Sequence, residues 1–339
     1  MRRAIGLLFL GLALQQLASG GVAAATAPSS GNSTASLLAF INGLPRQSRH
    51  ILLGQHSNYW DSNPMGIVTP IPAAAGGKQV AILGTSNYWL NGDGVTSSTT
   101  PWFVSATNAW LAKGGIVLVS QEPINPFASG EAVTDIWTPG TNANNKWKSY
   151  LNTQVALFKQ LNGPVLWRPF PEPNENHFGS QFTPAQFVLF WQYTHDYCVS
   201  QGLNNVLWVF NLNYWDPKRF ASQWYPGSAY VDIVSLDSYP PDSNSNNIYN
   251  FYLTTGKPII FAEVGGNSNT SAERPGTFDN STILAAVKAS FPQAVAIVYW
   301  CQNEGLAQQQ GPSAVLNDPA VVTLSDLPTA FANGSSTAH

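Results

Sequence analysis

The sequence predicts an α/β protein built as a single (β/α)8 TIM barrel. Three observations support this prediction: eight short apolar runs recur along the chain, longer amphipathic segments separate them, and no Pro/Ser/Gly-rich break divides them into two domains. Strands that are covered on both faces appear in a sequence as nearly continuous apolar runs. Alternating strands and helices form a parallel sheet, and eight such repeats are enough to close that sheet into a barrel.

The predicted elements follow one another in the order that a barrel requires. The eight predicted strands are residues 51–54, 80–83, 115–120, 164–168, 206–210, 230–236, 258–263 and 294–300. The clearest predicted helices are 105–113, 144–161, 184–200 and 280–290. Thr183 and Pro184 supply an N-cap and a first-turn proline for the third of these helices, and Gly202 ends it. An open doubly wound sheet is the alternative fold, but no GxGxxG or phosphate-loop motif supports it.

Both ends of the chain differ in composition from the predicted barrel. Residues 1–25 combine a basic start, a short apolar stretch and small residues, which is typical of a secretory signal peptide. The apolar stretch is short for a membrane span of ~20 residues, so we expect secretion to the extracellular space and no membrane association after cleavage. Residues 26–36 are predicted to be a polar linker, 37–332 a single catalytic domain, and 333–339 a disordered tail.

The composition favours a neutral ligand. Charged residues make up only 10% of the chain, whereas it contains 12 Trp, 12 Tyr and 17 Phe. The net charge is −3 and no Lys/Arg run is present, so we expect no nucleic-acid partner. We expect a monomer. The two cysteines, Cys198 and Cys301, lie outside any metal-ligand spacing and are compatible with one disulfide or with two buried thiols.

Two glutamates are predicted at the end of the barrel where active sites lie. Glu172 follows the fourth predicted strand and Glu263 ends the seventh, and the carboxyl ends of the strands form the active face of such barrels. Glycoside hydrolysis uses two carboxyl groups, one to protonate the leaving oxygen and one to attack the sugar or activate water. The alternative is that Glu263 only forms a structural ion pair with Arg168.

The residues around these glutamates resemble those of glycoside hydrolase family 26. The matching segments are Trp167-Arg168-Pro169-Phe170-x-Glu172-x-Asn174, Tyr225-Pro226-Gly227-x-x-Tyr230-Val231-Asp232-Ile233-Val234-x-x-Asp237-x-Tyr239, Lys257-Pro258-Ile259-Ile260-x-Ala262-Glu263-x-Gly265 and Trp300-x-x-Asn303. The resemblance covers residues 53–303. It implies a retaining endo-β-glycanase that acts on a polysaccharide or oligosaccharide. β-1,4-Mannan is the leading substrate, and β-1,3-xylan or β-glucan is the alternative.

The resemblance also implies roles for individual residues. Glu172 would be the acid/base and Glu263 the nucleophile, Tyr239 would donate a hydrogen bond to the nucleophile, and Trp300 would lie under the sugar. No metal and no cofactor are implied. The sequence departs from the family in three places. Residues 120–126 lack the histidine usual after the third strand, residues 174–179 replace a segment usually rich in Trp and Phe, and Pro171 stands where the family has a histidine just before the acid/base. The contact of that histidine must be lost or supplied by Gln121, Glu122 or His177.

Further residues are predicted to bind substrate because they follow strands on the same face of the barrel. They are His56, Trp60, Trp89, Glu122, Arg168, Asn174, His177 and Trp215. The alternatives are that Glu122 is a solvated loop carboxylate and that half of the aromatic rings pack under loops. A noncatalytic carbohydrate-binding barrel is the alternative function from another class. A metal-dependent hydrolase has little support, since the chain has no HxH or HExxH pattern.

Overall fold

The structure is a computed structural model that describes residues 33–58, 61–86, 88–90, 97–99, 102–121, 123–175, 181–214, 220–241, 243–266 and 274–332. Its strands are β1 (Ile51–His56), β2 (Ile82–Thr85), β3 (Tyr88–Leu90), β4 (Ser97–Thr99), β5 (Ile116–Ser120), β6 (Val165–Arg168), β7 (Val206–Asn213), β8 (Ile233–Ser238), β9 (Ile259–Val264), β10 (Ala294–Tyr299) and β11 (Val321–Val322).

Eight of these strands form a closed parallel barrel. The strands β1, β2 and β5 to β10 pair in chain order, and β10 pairs with β1 to close the sheet. The predicted (β/α)8 barrel is therefore confirmed, and each of the eight predicted strands overlaps an observed one. Two features were not predicted: β3 and β4 form an antiparallel hairpin after β2, and β11 adds a short parallel strand beside β1.

The helices alternate with the barrel strands. They are α1 (Thr34–Gly43), α2 (Ile71–Ala74), α3 (Phe103–Leu111), α4 (Asn142–Phe158), α5 (Pro184–Ser200), α6 (Ala221–Trp224), α7 (Asn246–Thr255), α8 (Ser281–Ser290), α9 (Pro312–Leu316) and α10 (Thr329–Ala332). The α5 helix begins where the sequence predicts, because Thr183 and Gln186 form a capping box. The Thr183 hydroxyl accepts from the Gln186 N–H, and Gln186 Oε1 accepts from the Thr183 N–H. Gly202, at φ 79°, follows its end.

Two apolar clusters hold the barrel together. The larger one fills the space between the strands and the surrounding helices, and its centre includes Trp147, Phe190 and Trp191. The smaller one fills the barrel interior. Gly54 is required there, since a Cβ at that position would lie 2.9 Å from Ile82 and Val298. Dense packing on both sides keeps the strand ends fixed, which matters because these ends hold the site.

The first helix closes the amino-terminal end of the barrel. Leu37 and Ile41 of α1 belong to the interior cluster, so the opposite, carboxyl-terminal end is the one left open. This helix starts at Thr34, inside the range predicted as a linker, because Ser33 caps it and its apolar side chains are buried against the barrel. The predicted signal peptide and the predicted tail lie outside the described residues.

Two further observations complete the description of the fold. Cys198 and Cys301 are both buried free thiols, so of the two alternatives left open by the sequence the structure has the unbonded one. Burial raises the pKa of Cys198 to about 12, which makes this thiol unreactive. Among the described residues, no helix combines the length and the apolar character needed to cross a lipid bilayer.

Candidate active site

Glu263 lies on β9, and its carboxyl group is held by two donors. Arg168, the last residue of β6, donates through Nη2 to Oε1, and the Tyr239 hydroxyl donates to Oε2 at 2.7 Å. Burial raises the pKa of Glu263, while the charge of Arg168 and these two hydrogen bonds oppose the rise. Glu263 is 7% exposed, so it lies at the surface of the open end of the barrel.

Arg168 joins three strands through a single guanidinium group. Its Nε donates to the Ser120 hydroxyl of β5 at 2.6 Å, its Nη1 donates to Asp237 Oδ2 of β8 at 2.6 Å, and Nη2 donates to Glu263 of β9. Burial alone would lower the pKa of this guanidinium, but Asp237 and Glu263 raise it above its ordinary value. Arg168 is 1% exposed and supports Glu263 from below. Its contact with substrate stays a prediction.

Asp237 is a third carboxyl group at the same place. Its Oδ2 pairs with Arg168, and its Oδ1 accepts from Asn211 Nδ2 at 3.0 Å. Burial raises the pKa of Asp237 well above its usual value against the opposing charge of Arg168, and the nearby Glu263 and Glu172 add to the rise. Asp237 therefore connects the ion pair to the strand that carries Asn211.

Glu172 is held in a different way from Glu263. It follows β6 in the turn Pro171-Glu172-Pro173, with φ 48° in the left-handed region that side chains seldom adopt. Its N–H donates to Asn211 Oδ1 at 2.7 Å, and Asn213 Nδ2 donates to its Oε1. The side chain is 8% exposed. The partners observed for Glu172 on β7 are therefore neutral amides.

The two glutamates meet across the open end of the barrel. Glu172, Asp237 and Glu263 each offer one carboxyl oxygen, and these three oxygens lie within 4.8 Å of one another. A cation bound by all three would lie against the Arg168 guanidinium, which already contacts two of them. The predicted pair of glutamates is thus brought together, with one member beside a positive charge and the other beside amides.

Asn174 braces the turn that holds Glu172. Its Nδ2 donates to the Asn213 carbonyl at 2.7 Å, and its Oδ1 accepts from the Asn213 N–H at 2.8 Å. The side chain is buried. The amide of Asn174 therefore bonds the backbone at the end of β7 and fixes the turn after β6 to that strand. That Asn174 binds substrate stays a prediction.

The rings of Trp300 and His56 form a tilted pair at the rim of the barrel. Trp300 follows β10, is half-buried, and its ring centre lies 5.0 Å from that of His56. Gln55 Nε2 donates to the Trp300 carbonyl at 2.7 Å, which fixes the backbone at this position. Trp300 is therefore the more exposed member of the pair.

His56, which the sequence predicts to bind substrate, lies below the surface of the site, and its contact with substrate stays a prediction. The imidazole is fully buried, and its Nε2 donates to the Ala262 carbonyl at 2.9 Å. It packs over Gly84, where a Cβ would overlap the ring. Burial, followed by the charge of Arg168, lowers the pKa of His56 to about 3, so the ring is neutral at physiological pH. His56 supports Trp300 and the strand that carries Glu263.

Several predicted residues cannot be placed. Trp60, Glu122, His177 and Trp215 lie outside the described residues, and Trp89 belongs to β3 with its side chain outside them as well. Two residues of the site, Asn211 and Asn213, were missed because β7 was predicted to end at Phe210. The signal was present, since Asn211 and Asn213 alternate with Leu212 and so point to one face of an extended strand.

The family model for glycosyl hydrolase family 26 matches residues 26–326, which is most of the chain. The chain belongs to glycosyl hydrolase family 26. A mannan endo-1,4-beta-mannosidase of Bacillus subtilis is 27% identical over 324 residues, covering 86% of this chain and 85% of that protein. The mannan endo-1,4-beta-mannosidase A and B of Caldalkalibacillus mannanilyticus is 26% identical over 90% of this chain, which spans only 63% of that longer protein.

A solved structure gives the same assignment of the fold. The Bacillus subtilis mannanase BCman has a TM-score of 0.74 and 25% identity, with coverage of 87% of this chain and 95% of that chain. The family 26 assignment makes this chain a glycoside hydrolase, as the resemblance implied. Arg168, Glu172, Tyr239 and Glu263, which the family motifs pick out along the sequence, converge in space at one end of the barrel.

Proposed function

We propose that this family 26 chain is a secreted, retaining endo-β-1,4-mannanase with Glu172 as acid/base and Glu263 as nucleophile. One observation is the main support: an oxygen of Glu172 and an oxygen of Glu263 lie within 4.8 Å of each other. Retaining enzymes keep their two carboxyl groups about 5–5.5 Å apart, whereas inverting enzymes separate them by about 6.5–9.5 Å to admit a water molecule. The close approach favours direct attack by one carboxylate.

The proposed reaction has two displacements. Glu263 attacks the anomeric carbon while Glu172 protonates the leaving glycosidic oxygen, which gives a covalent glycosyl-enzyme and a free chain end. Water, deprotonated by Glu172, then attacks the same carbon and releases Glu263. The donors on Glu263, from Arg168 and Tyr239, favour the ionised form that a nucleophile requires.

Mannan is the proposed substrate because relatives of this chain are mannan endo-1,4-beta-mannosidases. The ring of Trp300 suits any pyranose, because aromatic faces pack on the C–H face of sugars whatever their stereochemistry. Pro171, half-buried beside Glu172, has no side-chain donor with which to select a hydroxyl group. β-1,3-Xylan and β-glucan are therefore the substrates against which mannan must be compared.

Secretion, the monomeric state and independence from cofactors belong to the same proposal. Secretion is supported by the signal-peptide pattern of residues 1–25. The chemistry of the site requires only two carboxyl groups and water, so chelators should leave activity unchanged. A monomer is expected to elute near 36.6 kDa, or somewhat below after loss of the leader.

A polysaccharide panel tests the proposed function. The purified protein is incubated with β-1,4-mannan, β-1,3-xylan and β-1,4-glucan, with and without EDTA, and reducing ends, viscosity and product lengths are followed. We expect rapid viscosity loss on mannan, with the β-anomer as the first product by proton NMR. An α-anomer as the first product would exclude double displacement. Hydrolysis of another glycan would correct the substrate, and binding without hydrolysis of any glycan would indicate the noncatalytic alternative.

A further inference from the structure

Two asparagines at the end of β7 contact both the backbone and the carboxyl group of Glu172. Asn211 Oδ1 accepts from the Glu172 N–H, and Asn213 Nδ2 donates to Glu172 Oε1. Because the two residues are separated by one position on an extended strand, both side chains point to the same face. They are buried polar groups in a strand that is otherwise apolar, and such groups are retained only where they have partners.

Asn211 connects the acid/base to the nucleophile. Its Oδ1 accepts from Glu172, while its Nδ2 donates to the Ser235 hydroxyl at 3.0 Å and to Asp237 Oδ1 at 3.0 Å. Asp237 in turn holds the guanidinium that holds the nucleophile. Asn211 therefore fixes the unusual backbone of the Glu172 turn, and its side-chain atoms are committed to that structural task.

The side chain of Asn213 makes a different contact, because its Nδ2 donates to the carboxyl group of Glu172. Its own backbone is fixed on both sides by the amide of Asn174, which bonds the Asn213 carbonyl and the Asn213 N–H. The position of Asn213 on the strand therefore does not depend on its side chain. The side-chain amide is aimed at one named oxygen of Glu172, and its replacement should leave the backbone around it in place.

We propose that Asn213 is a positioning residue that selects which oxygen of Glu172 carries the catalytic proton. This inference rests on the proposed function. In a protonated carboxyl group the carbonyl oxygen is the good acceptor and the hydroxyl oxygen is the donor. The Asn213 amide on Oε1 therefore makes Oε1 the carbonyl oxygen, so that Oε2 holds the proton that passes to the glycosidic oxygen. When Glu172 acts as a base, the same amide stabilises the carboxylate, and Oε2 takes the proton from water.

The charged surroundings of Glu172 give this hydrogen bond its importance. Among the residues that the structure describes, the titratable groups that interact electrostatically with Glu172 include Arg168, Asp237, Tyr239 and Glu263. These groups act on the whole carboxyl group of Glu172 through space. The amide of Asn213 is instead bonded to one oxygen atom, so it distinguishes that oxygen from the other.

The experiment compares a substrate that needs an acid with one that does not. The first is the polysaccharide that the wild type cleaves; the second is a 2,4-dinitrophenyl glycoside of the same sugar, whose phenolate leaves without protonation. The variants are Asn213→Ala, Asn213→Asp and Glu172→Ala. Asn205→Ala is the matched control, since the Asn205 amide donates to the Phe158 carbonyl at 2.8 Å just before the opposite end of β7. The value of kcat/KM reports the glycosylation step for both substrates.

We expect Asn213→Ala to lower kcat/KM on the polysaccharide about 10- to 100-fold, a part of the 10²- to 10⁴-fold typical of general acid catalysis. On the dinitrophenyl glycoside we expect a change of less than about 3-fold, because no proton is transferred in that step. The basic limb of the polysaccharide pH profile should move to higher pH, since the ionised form of Glu172 loses a donor. Asn213→Asp should move it further, because a second negative charge disfavours ionisation.

Equal losses on both substrates, together with a lower unfolding temperature, would mean that Asn213 is merely structural and would overturn the proposal. Unchanged kinetics on both substrates would overturn it as well, as would a basic limb that stays in place. Asn205→Ala should match the wild type throughout. A failure of the proposed function has a different signature: the wild type cleaves no glycan, or Glu172→Ala keeps full activity on the polysaccharide.

Discussion

The two carboxyl groups at the mouth of the barrel are held by opposite kinds of chemistry. Glu263 lies on a strand, and its two oxygens receive bonds from a buried guanidinium and a tyrosine hydroxyl. Glu172 lies in a turn with a left-handed backbone, and β7 holds it through two asparagines. Glu263 is thus bonded by a cation from the barrel wall, whereas the bonds that β7 makes to Glu172 come from asparagine amides.

This difference indicates how one site can keep two similar acids in different roles. A carboxyl group beside a cation is favoured in its ionised form, whereas neutral amides impose no such preference through charge. Repulsion among three carboxyl groups within 4.8 Å opposes full ionisation of all three. Glu172, whose bonded partners on β7 are neutral amides, is then the natural place for a proton. Assignment of Glu263 as nucleophile and Glu172 as acid therefore agrees with the physical surroundings of each.

The strongest test of this comparison removes one carboxyl group at a time. Glu263→Ala should lower kcat on the polysaccharide about 10⁵-fold, because the covalent step is lost, whereas Glu172→Ala should cost about 10²- to 10⁴-fold. Azide added with a dinitrophenyl glycoside should restore both variants but give different products. The Glu263 variant should form the α-glycosyl azide by a single displacement, and the Glu172 variant should form the β-glycosyl azide from the covalent intermediate.

The identity of the azide product is read by proton NMR. Wild-type protein in the same azide concentration is the control and should form the ordinary hydrolysis product. If the two variants gave the opposite anomers, the roles of Glu172 and Glu263 would be exchanged. If the Glu263 variant kept wild-type activity, double displacement through this residue would be excluded.

The next prediction removes the cation that is bonded to Glu263. Arg168→Met would leave Asp237 and Glu263 buried near each other without a positive partner, and breaking a buried pair in this way costs about 3–5 kcal/mol of unfolding free energy. Arg49→Met is the control. The Arg49–Asp326 pair has a similar N–O distance of 2.7 Å but is largely exposed, so its loss should cost about 1 kcal/mol or less.

The pH dependence of the Arg168 variant has a definite sign. Without the guanidinium, the folded-state pKa of Asp237 stays raised by burial, so stability is greatest at low pH and is lost as the carboxyl group ionises. Urea unfolding of both variants at pH 4 and pH 7 measures this. The deficit of Arg168→Met should be larger at pH 7 than at pH 4. A deficit that is equal at both values, or equal to that of Arg49→Met, would contradict the ion-pair account.

The sequence was sufficient for the strands and for the main charged residues of the site. Buried parallel strands are apolar along their whole length, so the eight runs were visible, and a glutamate such as Glu263 is conspicuous at the end of one. The end of β7 was missed, because the alternation of Asn211 and Asn213 with Leu212 is a weak signal until their partners on other strands are known. Asparagine by its own propensity favours a turn, but pairing of Asn211 and Asn213 with β8 extends the strand.

Three of the residues that the sequence predicts to bind substrate share one structural feature. His56, Arg168 and Asn174 follow or end strands on the correct face, and chain position does not distinguish a side chain in the exposed layer from one directly beneath it. Each of the three is buried and supports another residue of the site. A rim prediction made from strand ends therefore identifies the neighbourhood of a site, whereas the division into contacting and supporting residues requires the packing.

The smallest predicted effect concerns His56, the neutral imidazole that bonds the Ala262 carbonyl next to Glu263. The pKa of His56 is about 3 in the folded protein, against 6.5 in the unfolded chain. Between pH 3 and pH 6.5 the unfolded chain therefore binds a proton at His56 and the folded protein does not. This depressed pKa means that stability is full above pH 6.5 and is lost as the pH falls, by roughly 2 kcal/mol between pH 6.5 and pH 5. His56→Gln keeps a donor for the Ala262 carbonyl but cannot bind that proton. The variant should therefore lose less unfolding free energy than the wild type over the same interval, as measured by urea titration at each pH. Equal losses of unfolding free energy in the variant and the wild type would contradict this account. They would show that burial and the charge of Arg168 do not keep His56 neutral in the folded protein.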